Sequence, residues 1–383
     1  MPHDKKIKKI GIDARFYGPA NKGLGRYTQE VVDNIVKLVL EKKDKNKYVI
    51  FLTKDNFEEF KCQNKQFKKV LTNVRWYTIA EQILMPYYIW KEKLDLIHFT
   101  HFNIPVFTPT KFVITIHDLI LTKFPTIRSS TLSPIIYKIK NLCYKIVILL
   151  AIHRAKKIIT VSKFTRDDIL NNFKINKNKL KIIYEGISPL DKIENHKKEN
   201  QILAKHKINK PFLLYVGNAY PHKNLKGLID VFLKLNIKNN FQLVLVGKED
   251  YFYKKIKKYK KDFNIIFTGF VVDKDLKDLY DNALLYVFPS FYEGFGLPPL
   301  EAMTHGCPVV SSNRSSMPEI LGQAAVYFNP EDEDEMLNKI KKVIDDIDLQ
   351  KDLIQKGYQQ IKKYHWQNNA KETLEVYNRL ITR

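Results

Sequence analysis

The stretch Phe288-Pro-Ser-Phe-Tyr-Glu293-Gly-Phe-Gly-Leu-Pro-Pro-Leu-Glu301 decides how this chain is read. The apolar run before it, Ala283 to Phe288, has the length of a short buried strand. Pro289, Ser290, Gly294 and Gly296 then mark a turn. Pro298 and Pro299 suit the opening turn of a helix that runs to His305 and stops at Gly306-Cys-Pro308. Strand, glycine turn and proline-opened helix leave unpaired backbone N–H groups and a positive dipole end at the carboxyl edge of a sheet. Such a place suits a phosphate or diphosphate.

Two carboxylates bracket the turn, Glu293 before the glycines and Glu301 on the helix. A glycosidase pair needs its carboxyl groups roughly 5–9.5 Å apart. Eight residues of helix span about 12 Å, although the loop part of the spacing keeps that alternative open. Contacts to different hydroxyls of a bound sugar and a ribose fit the placement better. The plainer alternative is a solvated Glu293 and a Glu301 that only complements the helix dipole.

Glu293-Gly-Phe-Gly-Leu-Pro-Pro-Leu-Glu301-Ala-Met resembles the signature of glycosyltransferase family 4, retaining enzymes of the GT-B fold, whose two glutamates are also separated by seven residues. Gly306-Cys-Pro-Val-Val310 and Ser315-Ser-Met-Pro-Glu319 fit the same family. The resemblance implies an α/β protein with two Rossmann-like domains, their parallel sheets facing across a cleft. It gives Glu293 the donor sugar and Glu301 the ribose, and it places Gly294, Phe295, Gly296 and Leu297 in the donor site.

Composition agrees with a globular protein of this size. A chain of 383 residues with 44% hydrophobic content exceeds one ordinary core, so two domains are expected. Cys62, Cys143 and Cys307 have neither metal nor disulfide spacing, which suits a reducing compartment. No apolar stretch resembling a signal peptide follows Met1–Lys9. The expected location is cytoplasmic, with the cytoplasmic face of a membrane as a peripheral variant.

The net charge of +24 is unevenly spread. Residues 1–190 carry 35 Lys and Arg against 16 Asp and Glu, whereas residues 191–383 carry 30 against 25. The first half therefore favours an anionic surface or acceptor; a lysine-rich coding bias explains the total but not the asymmetry. The run Ile146–Ile152 is too short to span a bilayer, which needs about 20 residues. The segment 134–157 reads as a basic helix, half-buried in the core or lying at a membrane interface.

In chain order, Ile7–Asp13 reads as a first strand, followed by a loop through Gly18, Gly23 and Gly25 into a helix near Arg26-Tyr27. Gly23-Leu-Gly25 resembles the family's glycine-rich loop, which approaches the donor phosphate. Further strands are expected at 48–52, 94–99 and 112–116. His98, His101 and His117-Asp118 fall at strand ends, where open α/β sheets bind ligands. The resemblance directs His117 to the transferred sugar, and Arg26, His101 and Asp118 stand as acceptor-side candidates. Ser162 reads as a helix cap. The family often has Asn where Glu185 stands, so Glu185 receives no role.

Domain boundaries follow from composition: residues 1–187 for the acceptor, a polar linker at 188–209, and residues 210–367 for the donor. The family's closing helix, about 368–383 here, packs back on the first domain. Strands are expected at 212–216, 242–246, 264–268 and 284–288. After the first comes Asn218-Ala-Tyr-Pro-His222-Lys223-Asn224, similar to the family's Pro-Arg-Lys-Asn segment with His222 in the arginine's place. Lys223 would neutralise a diphosphate as a point charge, and Asn218 and His222 join the donor site. Val271 lies in a segment that resembles the family's base-holding loop.

The implied partners are a nucleotide sugar and a saccharide or lipid-linked acceptor, with an anionic membrane surface nearby and no nucleic acid. No cofactor and no metal is expected, because a lysine and helix amides can do the neutralising. Rival readings are a nucleic-acid-binding protein, a non-catalytic nucleotide-sugar-binding module, and a GT-B phosphorylase with a pyridoxal phosphate lysine. Mannose from GDP-mannose leads among the sugars, ahead of glucose, galactose, N-acetylhexosamines and rhamnose from UDP or dTDP donors.

Overall fold

The structure, a computed structural model, describes residues 7–42, 44–124, 134–188, 201–236, 240–259 and 261–382. The chain forms two compact units, Met1–Gly186 with His365–Arg383, and Ile187–Tyr364. Of the expected linker, residues 189–200 lie outside the described residues.

The first unit is built on a parallel sheet of β1 (Lys9–Asp13), β2 (Lys47–Leu52), β3 (Phe67–Leu71), β4 (Leu96–Phe99), β5 (Phe112–Ile116), β6 (Lys157–Thr160) and β7 (Leu180–Ile182). Its order is β3-β2-β1-β4-β5-β6-β7. The helices between are α1 (Lys22–Glu41), α2 (Ile79–Lys91), α3 (Ile120–Lys123), α4 (Pro134–Arg154) and α5 (Lys163–Asn172). Central strands such as Phe112–Ile116 are apolar on both faces because helices cover both. One layer of core joins Met85 and Ile89 of α2 to Ile148, Ala151 and Ile152 of α4, so these two helices share a face of the sheet.

The second unit repeats the plan with α6 (Gln201–Lys205), β8 (Phe212–Val216), α7 (Leu225–Leu235), β9 (Gln242–Val246), α8 (Tyr251–Tyr259), β10 (Ile265–Gly269), α9 (Asp273–Asn282) and β11 (Leu285–Phe288). There follow α10 (Leu297–Thr304), β12 (Val309–Ser312), α11 (Met317–Leu321), β13 (Ala325–Phe328), α12 (Glu333–Asp345) and α13 (Ile347–Ile361). The order is β10-β9-β8-β11-β12-β13, all parallel. The final helix, α14 (Trp366–Ile381), belongs to the first unit and lies against α1.

In each sheet the chain first builds outward one way and then crosses to build the other way. The reversal falls between β1 and β4 in the first unit and between β8 and β11 in the second. Loops leaving the carboxyl ends at such a reversal diverge and leave room for a ligand.

One local expectation changes. Gly23 and Gly25 stand in the first turn of α1, which starts at Lys22, and not in a loop before it. First-turn amides have no partner four residues back, so glycine weakens a helix least there. Gly25 is required for close packing, since a Cβ would stand 2.0 Å from the Gly18 carbonyl oxygen. After β13, Asp332 caps α12 by accepting from the Glu335 amide at 2.9 Å.

Candidate functional site

The second unit brings the two segments of the reversal together. Lys223 ends a short 3-10 turn after β8, and Glu293 stands in the turn after β11. Lys223 Nζ lies 2.5 Å from Glu293 Oε1, with the two side chains only 14% and 9% exposed. The Lys223 ammonium also sits 5.8 Å from the centre of the Phe288 ring. Asn224 takes a left-handed conformation (φ 56°), which asparagine tolerates, and so turns the chain sharply into α7. The Phe291 amide donates to the His222 carbonyl at 2.8 Å, tying the two turns by backbone as well.

His222 is buried, and burial followed by the neighbouring Lys223 pushes its imidazole down to about 4. It is neutral at pH 7 and adds no positive charge where the family's arginine would. Asn218 closes the preceding loop through its carbonyl, which accepts from Tyr215 Oη at 2.8 Å.

The turn from Glu293 to Gly296 is held from behind by two serines. Ser315 Oγ accepts from the Glu293 amide at 2.9 Å, and Ser316 Oγ donates to the Glu293 carbonyl at 3.0 Å. Gly296 has φ 92°, and a Cβ there would meet Met317 Cε at 2.5 Å, so only glycine fits without strain. Leu297 then opens α10, with prolines in the next two places. Phe295 packs edge-on against Tyr364. Glu301 is buried and accepts from Tyr280 Oη at 3.2 Å. Val271 is buried just beyond β10, in the segment named for the base. Ser290 Oγ is buried with no hydrogen-bond partner among the described residues, a polar group left for something else to satisfy.

The first unit has its own cluster at the ends of β1, β4 and β5. His117 Nε2 lies 3.1 Å from the Thr100 carbonyl oxygen, and Nδ1 lies 3.1 Å from Glu185 Oε1. Both neighbours present acceptor oxygens, which favours a proton on each ring nitrogen. Burial opposes that charge, but Glu185, Thr100 and Asp118 outweigh it and hold the pKa above the ordinary value. Tyr27 meets the His117 ring edge-on at 4.4 Å.

His101 lies 6.5 Å from His117, ring centre to ring centre, and burial with that neighbour pushes it down to about 3. His98 is a core residue between Tyr377 Oη (2.6 Å) and Thr115 Oγ1 (2.9 Å). Asp118 accepts from the Ile120 amide at 2.9 Å, just ahead of α3. Arg26 is half-buried on the first turn of α1, and Gly23 is exposed there.

Residues 197–360 match the family profile described as Glycosyl transferases group 1, and residues 49–189 match Glycosyltransferase Family 4. The chain belongs to the group 1, family 4 glycosyltransferases. The "O-antigen chain mannosyltransferase B" of Escherichia coli is 33% identical to this glycosyltransferase over 234 residues, 59% of this chain and 61% of that one. "O-antigen chain mannosyltransferase RfbU" of Salmonella typhimurium is 28% identical over 272 residues, 70% of each chain. The chain thus spans less than two thirds of the first of these relatives. Sucrose-phosphate synthase from Thermosynechococcus elongatus shares the GT-B fold, with a TM-score of 0.74 at 18% identity over 98% of this chain and 99% of that one.

Four residues, Glu185, Arg15, Glu81 and Tyr280, receive no role from the sequence. Glu185 is passed over because the family's Asn is common there, yet it is the ionic partner of His117. Arg15 is fully buried at the end of β1, gripping Asp13 at 2.7 Å and Glu81 at 2.6 Å. Asp13-Ala-Arg15 at a strand end is a visible signal, but Glu81 lies 66 residues away on α2. Tyr280, the partner of Glu301, carries no local signal at all.

Proposed function

We propose that this glycosyltransferase moves a hexose from a nucleotide sugar to a saccharide or lipid-linked saccharide, with retention at the anomeric carbon. GDP-mannose is the first candidate donor, in keeping with relatives whose names place them as mannosyltransferases of O-antigen chains. The service is cell-envelope polysaccharide synthesis. The observation that carries the reading is the Lys223–Glu293 pair at the β8/β11 reversal, beside the N-terminus of α10.

The chemistry follows from charge. Without donor, the Lys223 ammonium is neutralised by Glu293. A donor diphosphate takes over the ammonium, and the amides of the turn opening α10 face the same developing charge. As the bond from the anomeric carbon to the phosphate oxygen breaks, negative charge gathers on the diphosphate, where these groups stabilise it most. Glu293, released from lysine, accepts from a sugar hydroxyl. Glu301 accepts from the ribose, with Tyr280 holding its other side. The protonated His117 donates to the sugar or acceptor by exchanging the Thr100 carbonyl for a hydroxyl. The lysine and amides do the neutralising, so the scheme requires no metal.

A thermal-shift panel of GDP-, UDP-, dTDP- and ADP-sugars tests the donor. A rise in melting temperature with GDP-mannose alone supports the reading, and a rise with a UDP- or dTDP-sugar reassigns the sugar. No shift with any of the four removes it. NMR of the product distinguishes an α-linkage, expected from an α-linked donor with retention, from the inverted β-linkage.

A further inference from the structure

The sheet of the first unit has an open edge. β7 stands last in its order, and among the described residues no strand pairs with its outer side. On the inner side, the Ile183 amide donates to the Thr160 carbonyl of β6 at 3.0 Å. Backbone groups alternate sides along a strand, so the N–H and C=O of Ile182 point to the open edge.

A cavity of about 560 Å³ lies along that edge, wholly within the first unit. Leu180, Ile182 and the buried Val376 of α14 give it an apolar lining. Its walls come from opposite faces of the sheet. Phe99 of β4 packs in the core layer that holds Ile169 of α5, whereas the adjacent His98 bonds Tyr377 of α14. Neighbouring side chains leave a strand by opposite faces. The helices α5 and α14 therefore flank β7 from either side, and Arg166 and Arg379 reach the cavity from them. Lys157 opens β6 and Leu180 opens β7, so the cavity begins at the amino ends of the strands. His117 follows the carboxyl end of β5, where ligands of open α/β sheets bind. The cavity is thus separate from that cluster.

The lining names the occupant. Lys157, Arg166, Lys177, Lys181 and Arg379 stand against two carboxylates, Glu372 and Glu375, and Glu372 already pairs with Lys181 at 2.6 Å. The excess of positive charge attracts an anionic partner. A second copy is disfavoured, because two such edges would set like charges face to face. Open backbone groups, an apolar lining and a cationic rim together are the features by which a sheet edge takes up an extended peptide.

We propose that β7 is a docking edge for an acidic, extended segment of a partner protein. The segment adds as an eighth strand, with backbone bonds to Ile182, apolar side chains on Leu180 and Val376, and carboxylates on Lys177 and Arg379. Docking requires neither donor nor transfer.

Fluorescence anisotropy of the full chain with a labelled hexapeptide of alternating glutamate and valine tests this. The wild type binds that probe saturably and ignores a peptide of alternating lysine and valine. Lys177→Glu/Arg379→Glu changes two exposed side chains and weakens binding about tenfold or more, given the worth of charge pairs between neighbouring strands. Ile182→Pro removes the outward N–H, a change that edge strands tolerate, and weakens binding about fivefold. Methylating the backbone nitrogens of the probe has the same effect on the wild type, so the test stands even if that variant fails to fold. Absent binding of the glutamate–valine probe overturns the proposal. Undiminished binding of the methylated probe also overturns it, by showing charge attraction without strand pairing, as does binding indifferent to Lys177→Glu/Arg379→Glu. Tripolyphosphate that binds the wild type but not Lys177→Glu/Arg379→Glu, with no peptide binding, gives the cavity to a small anion instead. Peptide binding without any donor-induced thermal shift leaves the docking edge standing and removes only the transferase reading.

Discussion

Breaking the Lys223–Glu293 pair from one side at a time is the sharpest structural perturbation of this protein. At 2.5 Å the Coulomb attraction at an effective dielectric of 20 is about 7 kcal/mol, against a desolvation cost of several kcal/mol per ion. The net worth of the pair is therefore small, but the cost of orphaning one member is large. Lys223→Met leaves a buried carboxylate and Glu293→Gln leaves a buried ammonium, each expected to cost about 3–5 kcal/mol. In a unit of this size that lowers its melting temperature by about 6–20 °C. The double substitution removes both charges and is expected to recover most of the loss. Thermal denaturation of the four proteins gives the coupling energy directly. Additive losses, within about 0.5 kcal/mol, would refute the reasoning.

Two further outcomes concern protonation and backbone strain. His117 gains Glu185 on folding, so its folded pKa is raised above the unfolded value near 6.5. Its contribution to stability is therefore full below about pH 6.5 and is lost as pH rises through the folded pKa. Glu185→Gln should move the His117 NMR titration downward, because burial then dominates; an unmoved titration contradicts the ion pair. Gly296→Ala forces a side chain into a left-handed position and against Met317, which should cost about 1–3 kcal/mol. Adding Met317→Ala should relieve only the steric part, and complete recovery would show that the backbone is unstrained.

How much was legible depended on the distance over which a residue's partner lies. Apolar runs such as Phe112–Ile116 and Phe212–Val216 announce buried parallel strands by composition alone. β3 does not, because Phe67–Leu71 is an edge strand with two lysines in five residues. β12 does not either, because only Val309 and Val310 of Val309–Ser312 are apolar. The glycine turn and α10 are local and were legible to within a residue or two. The Lys223–Glu293 pair was not, since its members are 70 positions apart. Only the strand order, with β8 beside β11, makes the loops after them neighbours. His117 and Glu185, 68 positions apart, meet for the same reason at the ends of one sheet.

Calorimetric titration of GDP-mannose into the wild type and into Glu301→Ala tests the central claim most directly. The account predicts saturable binding to the wild type and a loss of about a hundredfold or more in the variant, whose melting temperature shows it folded, as expected when a buried carboxylate is removed from a polar ligand. Equal affinity in the two proteins would contradict it.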